Sequence, residues 1–199
     1  LKNGIKLCDL ESGLSVHTLS GNSGLVMSVA WSPSEEYILA SGGADGNVKL
    51  WDVRYAGHNS SILSFDWRED HTAFDNADPY DRHIDRVNDQ VARAHESKVT
   101  SIAFSSCGRQ LISCSNDGNV RVWDTATGKI YPHNMVCPQG SNLPFQTRVI
   151  SPDPQSINTT DDLFLLPSTS ESLCLWQIHS DMIMPYHVLQ GHMHPINAV

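Results

Sequence analysis

SVAWSPSEEYILASGGADGNVKLWDVR (residues 28–54) returns as SIAFSSCGRQLISCSNDGNVRVWDTA (residues 101–126), and this recurrence decides the architecture. Trp51 and Trp123 correspond, 72 positions apart. An earlier echo, GIKLCDLESG (residues 4–13), sets Cys8 where a tryptophan would stand, 43 residues before Trp51. That spacing matches a ~40–45-residue period of four short strands, and the longer step is then one period plus an insert of about 29 residues. A weaker copy, DDLFLLPSTSESLCLWQIHS (residues 161–180), carries Trp176, and LQGHMHPINAV (residues 189–199) reads as the opening of another unit.

Within the copies, short alternating apolar runs lie between Ser-Pro, Asp-Gly and Thr-Gly steps, the pattern of antiparallel strands with one buried face. Strands are expected at residues 28–31, 37–41, 48–52, 62–66, 100–104, 110–114 and 120–124. Asp45-Gly46 and Asp117-Gly118 supply the turns between second and third strands, since glycine accepts positive φ without a Cβ clash. The pattern resembles WD40 repeats, and the fold class expected is an all-β WD40 β-propeller. Its units fall at about residues 1–21, 22–66, 95–134 and 145–192, with an insert at 67–94. About 15 strands are too few for a ring of about seven blades, so the chain reads as an incomplete arc of about four.

Lys plus Arg number 13 against 22 Asp plus Glu, a net charge of −9, which disfavours a surface built to hold phosphate backbone. No apolar run approaches the ~20 residues of a membrane-spanning helix. The five cysteines, Cys8, Cys107, Cys114, Cys137 and Cys174, form no CxxC pair and leave one over in any pairing scheme, which fits a reducing compartment. Asn59 and Asn158 head glycosylation triplets that such a compartment would leave unused. No phosphate loop is present in SGGADG, and His192 and His194 lack a third ligand at metal spacing, so no cofactor or metal is expected.

His95, Ser113, Asp117 and Trp123 could be taken for a hydrolytic triad beside an indole. Their place inside a repeat, with the serine in a strand, points instead to an internal hydrogen-bond chain that supports the blade. The second unit keeps Ser41, Asp45 and Trp51 but has Asn22 in place of the histidine, so its network is expected to be weaker. Two features exceed what packing asks for. Arg54 follows Trp51-Asp52-Val53, where the third unit ends in Thr125-Ala126, and its forked guanidinium suits a partner's carboxylate or carbonyl. The acidic insert at 67–94 should leave from the opposite end of the sheet, because strand connections alternate ends.

The stretch IKLCDLESG, then ILASGGADGNVKLWDVR, then a long acidic insert before AHESKVTSIAFSSCGRQLIS, is similar in order and spacing to the Cockayne syndrome group A family of WD-repeat proteins. The resemblance implies a non-catalytic substrate receptor of a nuclear cullin-RING ubiquitin ligase acting in transcription-coupled nucleotide-excision repair. It also implies a WDxR box over residues 39–54, with Asp45, Val48, Leu50, Trp51, Asp52 and Arg54 in register. Within it Trp51, Asp52 and Arg54 would meet the ligase's damaged-DNA-binding adaptor, while repair or transcription proteins take the opposite face. The residues alone equally allow a WD scaffold in signalling, RNA processing or chromatin with Arg54 merely solvated.

Overall fold

The computed structural model describes residues 3–55, 60–67, 93–131, 135–136, 148–150, 162–169, 172–178 and 183–190. Strands form wherever the repeats predict them; burial alternates along Val26–Trp31, while the inner strands Ile38–Gly43, Val48–Asp52, Gln110–Ser115 and Asn119–Asp124, covered on both faces, are buried nearly throughout. Strands β1 (Ile5–Cys8) and β2 (Ser15–Leu19) pair as a hairpin. A four-stranded meander follows, made of β3 (Val26–Trp31), β4 (Ile38–Gly43), β5 (Val48–Asp52) and β6 (Ser61–Ser64). The next is β7 (Val99–Phe104), β8 (Gln110–Ser115), β9 (Asn119–Asp124) and β10 (Met135–Val136). The last is β11 (Arg148–Ile150), β12 (Asp162–Thr169), β13 (Ser172–Ile178) and β14 (Ile183–Gln190). Every pairing within these sheets is antiparallel and sequential, so the described chain is all-β, a run of antiparallel sheets consistent with part of a WD40 β-propeller.

The core lies between sheets. Ala40, Leu50 and Val48 of the second sheet meet Val99, Ile102 and Leu111 of the third, with Phe65 and Trp123 in the same cluster at a ring separation of 5.2 Å. Trp51 turns the other way and packs with Leu19 and Leu39 against Ile5 and Leu7 of the first hairpin. Each of these tryptophans therefore seals its blade against the preceding one. Met27, Val29 and Trp31 alternate along β3 on the Trp51 face and stay exposed.

The turns behave as the Asp-Gly steps require. Gly46 and Gly118 adopt φ of 81° and 80°, the left-handed region that other residues enter only at a cost. At Gly46 the backbone is also crowded, because a Cβ there would run into the His95 carbonyl. His95 donates its amide to the Gly46 carbonyl at 2.9 Å, so the turn of one blade is the seat of the next.

Register places the two ends of the sheet. Ile38 pairs with Asp52 and Gly42 with Val48, so Tyr37 and Arg54 lie at one end and the turn at 44–47 at the other. The insert's two roots, Trp67 and Arg93, are joined by an amide-to-carbonyl bond of 3.1 Å, close to the His95–Gly46 contact and hence at the end away from Arg54. Residues 68–92, His192, His194, Asn59, Asn158 and Cys137 lie outside the described residues, as does the opening of a further unit after Gln190.

Candidate functional site

The third blade joins the four residues into one buried chain. Trp123 Nε1 donates to Ser113 Oγ at 2.8 Å, and Ser113 Oγ lies 2.6 Å from His95 Nε2. His95 Nδ1 in turn lies 3.2 Å from Asp117 Oδ2. The same Nδ1 also lies 3.0 Å from Arg121 Nη1, a donor only, so the imidazole is held from three sides, by Ser113, Asp117 and Arg121, and the indole donates into the end of that chain. Burial pushes the His95 pKa below the ordinary imidazole value, against the pull of Asp117, so the ring is neutral in the folded protein. Burial works to raise the Asp117 carboxyl, but hydrogen bonds from His95 and from the Asn119 and Glu96 amides outweigh it and hold the group well below the usual carboxylate range. Ser113 and His95 are both fully buried, which leaves no path for a substrate carbonyl to the hydroxyl. The trio has the membership of a hydrolytic triad and the setting of a structural strut.

The second blade is built differently. Trp51 Nε1 donates to Ser41 Oγ at 2.8 Å, but the link stops there, with no second partner for Ser41 among the described residues. Asp45 belongs to a separate knot, accepting from Ser23 Oγ at 2.5 Å, from the Gly24 amide at 2.9 Å and from Asn47 Nδ2 at 2.8 Å. Asn22 does not bridge the two halves: its Nδ2 is buried with no partner among the described residues. Ser41 and Asp45, expected to share one network, are therefore in two.

In the second and third blades a cation on the third strand ties the blade to the segment before it, a feature the sequence reading missed. Lys49 Nζ donates to the Gly21 carbonyl at 2.5 Å. Arg121 Nη1 donates to the Ala94 carbonyl at 2.6 Å, while its guanidinium stacks 5.0 Å from the Trp67 ring centre. One arginine thus grips both roots of the 67–94 insert. The available signal was that Lys49 and Arg121 occupy equivalent places in VKLWD and VRVWD.

At the opposite end, Asp52 receives Arg54 as a fork. Nε donates to Oδ1 at 3.0 Å and Nη2 to Oδ2 at 2.6 Å, and the Arg54 amide caps the same carboxylate at 3.0 Å. The Asp52 hydrogen bond raises the Arg54 pKa further above its ordinary value and holds the Asp52 carboxyl down. Asp52 is almost wholly buried, whereas the Arg54 side chain is 58% exposed. Its Nη1 edge has no hydrogen-bond partner among the described residues. The guanidinium lines an open cavity of about 570 Å³ against the β3–β4 turn, with Ser34, Glu36 and Tyr37 among its other walls.

Trp51, expected at the docking surface beside Asp52 and Arg54, is fully buried between blades and cannot touch a partner. That expectation is corrected: Trp51 supports the strand, Asp52 orients the arginine, and Arg54 alone of the three presents its side chain. Among the described residues no cluster of metal-ligating side chains occurs. No helix of the described residues is long and apolar enough to cross a membrane.

The family model for the WD domain, G-beta repeat, matches residues 13–52 and 88–124, which carry β2 to β5 and β7 to β9. The two stretches are WD40 repeats, the class of protein-interaction module that the fold defines. WD repeat-containing protein ATCSA-1 of Arabidopsis thaliana is 53% identical over 53 residues, 27% of this chain and 12% of that protein. Mitochondrial division protein 1 of Pyricularia oryzae is 30% identical over 139 residues, 65% of this chain and 20% of that protein. The anaphase-promoting complex subunit cdh1 of Dictyostelium discoideum is 31% identical over 133 residues, 60% of this chain and 16% of that protein. The chain therefore spans no more than about a fifth of the length of these relatives.

Proposed function

We propose that this arc is the docking part of a substrate-recognition subunit of a cullin-RING ubiquitin ligase that acts in transcription-coupled nucleotide-excision repair in the nucleus. Arg54 engages the ligase's damaged-DNA-binding adaptor, and the opposite end, where the acidic insert is rooted, meets repair or transcription proteins. No catalytic step is assigned to the chain.

The observation that carries this reading is the Arg54 fork. A single exposed cation is ordinary and holds many rotamers, but here a nearly buried carboxylate fixes two of its nitrogens and leaves the outer edge pointing away from the sheet. Such preorganisation lowers the entropic cost of binding. The third blade places Ala126 at the corresponding position and does without the cation, so the blade's own packing does not demand it. In the full-length protein, Arg54→Ala and Arg54→Asp should abolish co-purification of the adaptor while the protein still folds, with a lowered thermal midpoint because the nearly buried Asp52 carboxylate loses its fork. Undiminished co-purification removes the arginine from the account.

A second reading, a WD scaffold in another process, is favoured by the spread of its relatives' names across mitochondrial division and the anaphase-promoting complex. It predicts affinity capture without ligase subunits.

A further inference from the structure

Arg54 is held from two sides, and only one of them belongs to the WDxR box. While Asp52 grips its edge, its guanidinium carbon lies 5.1 Å from the centre of the Tyr37 ring, outside the box and across the β4–β5 pairing. The Tyr37 backbone is fixed there because its carbonyl accepts from the Val53 amide at 2.9 Å. The neighbouring Glu36 carboxylate holds the phenol above its ordinary pKa.

The repeats supply an internal control. In the third blade the Thr125 amide donates to the Arg109 carbonyl at 2.9 Å, as Val53 does to Tyr37, so Arg109 stands where Tyr37 stands and Ala126 where Arg54 stands. In the fourth sheet Asp162 occupies the Tyr37 position, opposite Ile178. The aromatic ring occurs in the blade that has the arginine and is missing where the arginine is missing in the third. Blade packing requires neither.

We propose that Tyr37 is the positioning residue of this docking surface: its ring backs the guanidinium, so that the Asp52 fork and the ring together aim the Nη1 edge at a carboxylate or backbone carbonyl of the ligase adaptor. The inference rests on the receptor reading above. A stacked, forked guanidinium loses less freedom on binding than a solvated one. Exclusion of water by the partner then strengthens the cation–ring attraction.

The test measures adaptor affinity, by interferometry with the full-length protein, for Arg54→Ala, Tyr37→Ala, Tyr37→Leu, Tyr37→Phe and Tyr37→Trp, with a thermal unfolding midpoint for each. Arg54→Ala should weaken binding by about 30-fold or more. Tyr37→Ala and Tyr37→Leu should each weaken it by about 3- to 10-fold, because both remove the π face. Tyr37→Phe and Tyr37→Trp should stay within about twofold of the natural protein, since both restore that face. Midpoints of the Tyr37 variants should not move, because that side chain is half exposed, whereas Arg54→Ala should lower its midpoint, since it strips the nearly buried Asp52 carboxylate of its fork. Wild-type affinity for Tyr37→Ala beside a weakened Arg54→Ala overturns the positioning role and leaves the receptor reading standing. Wild-type affinity for Arg54→Ala overturns the receptor reading itself. Equal losses for Tyr37→Phe and Tyr37→Ala would mean that the hydroxyl acts rather than the ring, and would also overturn the proposal.

Discussion

Replacing Ser113 by alanine should cost about twice what the same change costs at Ser41, although both serines are buried acceptors of a tryptophan indole at 2.8 Å. Loss of Ser113 Oγ strands two buried groups, Trp123 Nε1 and His95 Nε2, whereas loss of Ser41 Oγ strands Trp51 Nε1 alone. A buried polar group left unpaired costs about 1–3 kcal/mol. Ser113→Ala should therefore lose about 3–4 kcal/mol and Ser41→Ala about 1–2 kcal/mol, with the larger value about a fifth or more of a typical domain stability of ~5–15 kcal/mol. Urea titration of the full-length protein, followed by tryptophan fluorescence, reads the two midpoints directly. A double-mutant cycle with His95→Ala should show strong coupling at Ser113 and none at Ser41. Equal losses, or a larger one at Ser41, would refute the view that the histidine chain, and not the indole bond alone, distinguishes the two blades.

Stability should fall with acidification through the same chain. Because the folded His95 pKa lies below its ordinary 6.5, the unfolded chain binds the extra proton. The histidine's contribution is thus complete above pH ~6.5 and is lost as pH drops below it, and depressed Asp117 adds a further loss below pH ~4. Urea midpoints should drop between pH 7.5 and 5.5, and His95→Gln should flatten that slope; an unchanged slope would put the titration elsewhere. Gly118→Ala, at a left-handed glycine with nothing within 4 Å of the added Cβ, should cost about 1 kcal/mol. Gly46→Ala at the same φ drives its Cβ into the His95 carbonyl and should cost at least twice that, and equal costs would show that the blade junction yields.

The fold was legible because its determinants are local and repeated. Strand alternation, the Asp-Gly turns and the tryptophan spacing each recur, and each acts within a few residues of itself. Parts of the site were legible for the same reason: Ser113, Asp117 and Trp123 sit at fixed offsets in one repeat, and Arg54 stood out against Ala126. What the sequence hid was set by distance in the chain. Nothing in the order of residues shows that Tyr37 lies under Arg54, a contact made by strand register across a hairpin. Nor does it show that Arg121 reaches Ala94 and Trp67, since the intervening insert separates those two in sequence while the sheet brings them together. Trp51 misled because a motif reads as one site when written in a line. In a strand, neighbouring side chains point to opposite faces, so Trp51 goes into the seam between blades while Asp52 turns to Arg54.

Amide hydrogen exchange of the full-length protein with and without the ligase adaptor tests the docking face most directly. Protection should appear at residues 32–38 and 52–55, around the Arg54 cavity, and not at the turns 44–47 and 95–98 at the far end of the sheets. Protection confined to those far turns, or none at either end, would contradict the assignment of Arg54 as the point of contact.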